Sequence, residues 1–190
     1  MGAREGDLVN PQGGDEGRDI DGPKRVGDLF EFSRLLEQDG FIRHFPEPCL
    51  VQVGGERSSE SGVGFRTMSR SVNPVAIDDE LGQRPVYFLR KRAGNAFTMM
   101  ITVGRALNND VVIKNGLVSK FHAYFNQCDD TWFVTDADSS NGSYVDGRRL
   151  STGERIEVGN ESRISFSEEL NYQFLRPGSL FEYLLRVRTG

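Results

Sequence analysis

Histidine and cysteine are almost missing from this chain: two of each stand among 190 residues. Cys49 and Cys128 are too far apart for a CxxC pair, and two cysteines cannot build a disulfide framework, so a reducing compartment is expected. His44 and His122 fall in different segments, and no HExxH, GxSxG or P-loop pattern occurs. Neither a zinc centre nor a nucleophile relay finds its ligands or partners, so no catalysis, no metal and no cofactor are expected. Asp136 and Asp138 read as turn formers rather than as a general acid–base pair. Long apolar runs are absent too, as no stretch approaches the 18 residues of a membrane span. The opening MGAREGDLVNPQGGDEG carries no apolar core of a secretory signal, and a cytoplasmic protein is expected. Positive charge is not in excess: 23 Lys and Arg stand against 28 Asp and Glu, a net −5. The small basic clusters Arg90-Lys91-Arg92 and Arg148-Arg149 have no interleaved aromatics, which argues against a nucleic-acid partner.

What is present changes along the chain. Residues 1–27 are rich in glycine and charge and poor in apolar side chains, a composition expected to remain a disordered tail. Residues 28–53 form an amphipathic helical and aromatic segment. Asp28 is placed to cap a helix, Leu29, Phe30, Phe32, Leu35 and Leu36 share one broad side, and Gly40 is expected to stop it. Leu50, Val51 and Val53 suit a brief strand. So many aromatics in about 25 residues cannot form a core alone; they are expected to pack on the main domain or on another subunit. Residues 54–83 open on GGERSSESGVG and read as a linker. Residues 177–190 predict a C-terminal helix burying Leu180, Phe181, Leu184 and Leu185 and closing one end of the main domain.

The stretch 84–176 has another texture. Short runs of β-branched and aromatic residues alternate with turn signals such as Asn115-Gly116, Asn141-Gly142 and Asp146-Gly147. No helical period lies between them, so an all-β, two-sheet sandwich is expected rather than a βαβ fold. Polar residues gather in its loops. Arg105 follows Gly104 at the end of an apolar run, Ser119-Lys120 precedes the strand near His122, and Ser139-Ser140-Asn141-Gly142 precedes Val145. Loops at one end of a sandwich converge, and this set suits a phosphate: a guanidinium fork, an ammonium, a hydroxyl and loop N–H groups. The Asn141 amide both donates and accepts, as recognition of an extended peptide main chain requires. Each element is also common in proteins that bind nothing.

The blocks ITVGRALNNDVVI, LVSKFHAYF, DADSSNGSYVDGRRL and GERIEVGNESRISF, in that order, resemble a forkhead-associated (FHA) domain over residues 84–176. The resemblance implies an eleven-stranded β-sandwich, here with short N- and C-terminal helical additions. It also implies binding of phosphothreonine peptides without catalysis or metal, as an adaptor in Ser/Thr kinase signalling of the bacterial type. On it, Arg105 and Ser119 would hold the phosphate, with Lys120 beside them where many members have Arg. Asn141 would bond the peptide main chain just after the phosphothreonine, and Ser140 would help shape the pocket. Gly104 would permit the turn before Arg105, His122 would hold the loops, and Gly142 and Gly147 would serve sharp turns. The partner would be a Thr-phosphorylated protein, with self-association through Thr67 in FRTMSRS as one form of it and no membrane partner. The alternative is a phospho-independent structural or oligomerising protein that uses residues 28–53 and 178–187 as its interface.

Overall fold

The computed structural model describes residues 23–54 and 79–187. In chain order these are β1 (Lys24–Arg25), α1 (Val26–Leu35), α2 (Gln38–His44), β2 (Cys49–Val53), α3 (Asp79–Gly82) and β3 (Pro85–Phe88). Then follow β4 (Ile101–Gly104), β5 (Val111–Val112), β6 (Ala123–Cys128), β7 (Thr131–Asp136), β8 (Tyr144–Val145) and β9 (Arg148–Arg149). Last come β10 (Arg155–Val158), β11 (Arg163–Ser165), β12 (Asn171–Leu175) and α4 (Pro177–Val187). The strands form a seven-stranded sheet, β1-β3-β2-β12-β11-β8-β9, and a five-stranded sheet, β10-β7-β6-β4-β5. Every pairing is antiparallel except β4 with β5.

Between the sheets lies a core of alternating inward residues, among them Leu50, Val103, Phe125, Trp132, Val134, Ile164, Phe166, Tyr172 and Phe174. Each large side chain here contributes about 1.5–3 kcal/mol by leaving water. Phe166 is central to it, 5.2 Å from the His122 ring and 5.5 Å from Tyr172. A second core covers the other face of the seven-stranded sheet. The period of two that sends Leu50, Tyr87 and Phe174 toward the five-stranded sheet sends Cys49, Val51, Val86, Phe88 and Leu175 outward. There they meet Val26, Leu29 and Phe30 of α1, Phe41 of α2, and Leu180, Phe181 and Leu184 of α4. The fold thus has three layers: five strands, seven strands and helices.

Several expectations change. The described residues hold twelve strands in two sheets and four helices, not eleven strands with helical appendages. The sandwich is not confined to 84–176: β2 is a central strand, paired with β12 through Cys49↔Leu175 to Asn171↔Val53 and with β3 through Cys49↔Phe88 to Val51↔Val86. Its partners are remote in sequence, and nothing near residue 50 announces them. Residues 24–25, expected in the tail, pair with Val86 and Pro85 as β1. Asp28 caps α1 from inside the first turn, its carboxylate accepting the Arg25 N–H at 3.3 Å. Gly40 lies within α2. The buried side of α1 is Val26, Leu29, Phe30 and Ser33, whereas Phe32 (38%) and Leu35 (81%) are exposed. Leu185 likewise faces outward. Helix α4 lies over the sheet face rather than at a sandwich end. Most of the expected tail and linker, and Thr67 with them, lies outside the described residues.

Candidate functional site

Three loops meet at the end of the five-stranded sheet, and backbone bonds set their register. β4 ends at Gly104, and the next two N–H groups, of Arg105 and Ala106, donate to Ser119 O at 2.9 Å and Lys120 O at 3.2 Å. Gly104 stands here for a steric reason rather than the expected turn. A Cβ on it would lie 2.3 Å from Lys120 O and 2.8 Å from Asn109 Nδ2, so only glycine lets the two segments approach. Asn109 completes the joint, its amide donating to Lys120 O at 2.7 Å and Ala106 O at 2.8 Å.

The second and third loops are joined through Ser119. Its hydroxyl accepts the Ser140 N–H at 3.0 Å and stands 3.3 Å from Ser140 Oγ. Buried His122 secures the same junction. Nδ1 accepts the Ser119 N–H at 3.0 Å, so the ring proton sits on Nε2, which donates to Gly142 O at 3.3 Å. Burial pushes the His122 pKa down, against the upward pull of the Gly142 carbonyl and the Asp136 charge, and favours the neutral ring. Asn141 extends the link by donating to Leu117 O at 2.7 Å. One amide hydrogen of Asn141 is therefore committed internally, while its Oδ1 has no partner among the described residues. Gly142 and Gly147 adopt φ of +79° and +83°, the left-handed conformation that glycine favours.

Carboxylates brace this frame from behind. Asp136 at the end of β7 accepts Ser139 N–H at 3.0 Å, Ser139 Oγ at 2.6 Å and Ser143 Oγ at 2.6 Å. Burial pushes its pKa up, but the Ser139 and Ser143 bonds outweigh that and hold it below the ordinary value. Asp110 does the same for the first loop. It accepts Thr102 N–H at 2.8 Å and Arg92 N–H at 2.9 Å and pairs with Lys91 Nζ at 2.8 Å. These bonds overcome burial and again lower the pKa. Asn109 and Asp110, in the loop between β4 and β5, are both buried and structural. The side chains of Arg105 and Lys120, by contrast, are exposed and make no ion pair or hydrogen bond among the described residues. The site therefore presents two unpaired cations, a serine hydroxyl and an amide oxygen on a rigid, internally bonded frame. A surface groove lined by Gln52, Val53, Gly54, Glu80, Gln83, Arg84 and Pro85 contains none of these residues. Among the described residues no three His, Cys, Asp or Glu side chains group to hold a metal.

The fold is a β-sandwich whose candidate binding groups sit on loops at one end. Residues 101–167 match the FHA domain family. The chain is 32% identical over 124 residues to an oxoglutarate dehydrogenase inhibitor of Corynebacterium diphtheriae, covering 59% of this chain and 81% of that one. It is 31% identical over 64 residues to the FHA domain-containing protein FhaB of Mycobacterium tuberculosis, covering 34% of this chain and 41% of that one. The match thus spans about two fifths of FhaB. Among solved structures, the FHA domain of an Arabidopsis thaliana protein aligns with a TM-score of 0.45 at 20% identity, over 68% of this chain and 85% of that one. The chain belongs to the FHA domain family, whose domains are non-catalytic interaction modules.

Proposed function

We propose that this chain is an adaptor that binds phosphothreonine peptides, the activity typical of its family. Arg105 and Ser119 hold the phosphate, Lys120 adds charge beside it, and Asn141 uses its Oδ1 to accept a peptide N–H just after the phosphothreonine. Ser140 keeps the Ser119 hydroxyl in place. One observation carries this reading: Ser119 is bonded to the Arg105 loop through its carbonyl and to the Ser140 loop through its hydroxyl, which joins the backbones that carry Arg105, Ser119 and Asn141. A preorganised site of this kind spends little of its binding energy on ordering loops. The phospho-independent alternative has less support, because α1, α2 and α4 use most of their apolar surface on their own sheet. Two unpaired thiols, Cys49 and Cys128, support a cytoplasmic setting.

Calorimetric titration with pools of phosphothreonine peptides and their unphosphorylated counterparts tests the proposal. Arg105→Ala removes a charge-assisted contact of about 1.5–3 kcal/mol, so affinity is expected to fall at least about tenfold. Binding that ignores the phosphate, or survives Arg105→Ala unchanged, would refute it.

A further inference from the structure

The two arginines of edge strand β9 are placed differently. Arg148 forms an ion pair with Glu154. Arg149 lies opposite Tyr144 in the β8–β9 pair, its guanidinium carbon 6.0 Å from the Tyr144 ring centroid. It also covers Gly142. A Cβ built on that glycine would fall 2.7 Å from Arg149 Nε and 3.1 Å from Nη2. The guanidinium is therefore held over the backbone that directly follows Asn141, with an aromatic ring to steady it. It is exposed, and it has no carboxylate partner among the described residues.

We propose that Arg149 is a specificity-determining residue that pairs with an acidic side chain of the bound peptide on the C-terminal side of the phosphothreonine. The inference rests on the phosphopeptide reading above, because Asn141 is what brings that part of the peptide past Gly142. Chemistry selects the occupant. A planar guanidinium restricted by Gly142 and Tyr144 loses little freedom on pairing and offers parallel N–H donors to a carboxylate. A lysine or arginine on the peptide meets an uncompensated like charge at the same place. Phosphate binding itself stays with Arg105 and Ser119, so Arg149 ranks phosphopeptides against one another without deciding whether they bind.

The test uses the full chain and degenerate phosphothreonine peptides in which one of the first four positions after the phosphothreonine is fixed as Glu, Gln or Lys. At one position the Glu pool is expected to bind about two- to fivefold more tightly than the Gln pool, the range of an exposed ion pair, with the margin shrinking as salt is raised. Arg149→Gln is expected to erase that margin while leaving the affinity for the Gln pool unchanged. Arg149→Glu is expected to move the preference to the Lys pool, and Arg148→Gln to keep the original one. Wild-type binding without any acidic preference, or a preference that persists in Arg149→Gln, overturns the inference while leaving the phosphopeptide reading intact. Failure of every pool to bind in a phosphate-dependent way overturns both.

Discussion

Gly104→Ala adds one methyl group where two chain segments already touch. The new carbon would sit 2.3 Å from Lys120 O and 2.8 Å from the Lys120 carbonyl carbon and Asn109 Nδ2, and two of these three atoms are backbone that no rotamer change can remove. Relief requires the Lys120 carbonyl to retreat, and that oxygen accepts from Ala106 N and Asn109 Nδ2. Overpacking of this kind costs about 1–3 kcal/mol, and each weakened hydrogen bond adds about 0.5–1.5 kcal/mol. A loss of about 2–6 kcal/mol is expected. Gly147→Ala provides the contrast. Its φ of +83° is unfavourable for alanine, but no atom lies within 4 Å of the added carbon, so about 1–2 kcal/mol is expected. Urea denaturation followed by circular dichroism measures both, with the slope checked for constancy so that the midpoint reports stability. If Gly104→Ala is no more destabilising than Gly147→Ala, the steric account of the joint is wrong.

Further outcomes concern pH. The folded-state pKa of His122 is lowered, so below about pH 6.5 the unfolded chain takes up a proton that the folded chain resists, and stability falls as pH drops from there toward the folded pKa. His122→Phe is expected to abolish that dependence in denaturation curves between about pH 7 and 5, while losing about 2–4 kcal/mol at pH 7 from the unpaired Ser119 N–H and Gly142 O. An unchanged pH slope would show that another group is responsible. Asp110 and Asp136 also have lowered pKa values, so their stabilisation is complete above about pH 4 and is lost as pH falls through their folded values. Asp136→Asn is expected to flatten the acid limb of thermal melts recorded below that pH, and a limb as steep as wild type would contradict the assignment.

Much of the candidate site was legible because its proposed chemistry is carried by residue types in short contexts. Arg105 after a strand, Ser119 three before His122, and Asn141-Gly142 in a turn are local signals, and the fold brings all of them to one place. The frame behind them was less legible. Asn109 and Asp110 look like ordinary turn residues until Thr102, Lys91 and Lys120 surround them, and Gly104 gives no sign that its neighbour across space is a carbonyl. Arg149 stands out in the sequence only as half of a small basic cluster, since nothing in Arg-Arg distinguishes the member bonded to Glu154 from the member over Gly142. Two of the four helices, α1 and α4, were legible, and Leu29, Phe30, Leu180, Phe181 and Leu184 are buried as expected, whereas Phe32, Leu35 and Leu185 face outward. Phe32 and Leu35 advertise a buried side, yet Val26 and Ser33 occupy it, because the sheet face that α1 covers is built from β2, β3 and β12.

The pairing of β2 with β12 also bears on how the protein is made. A ribosome adding about 5–20 residues per second finishes β12, which ends at Leu175, about 120 residues after β2, which ends at Val53, a delay of about 6–24 s. Throughout that interval Leu50 and Val51 have only β3 for a neighbour, and neither core can close, since β12 supplies Phe174 to one and Leu175 to the other. The nascent chain must therefore carry an apolar, unpaired edge on β2 until β12 arrives, which makes β2, among the described strands, the one most in need of protection from mispairing.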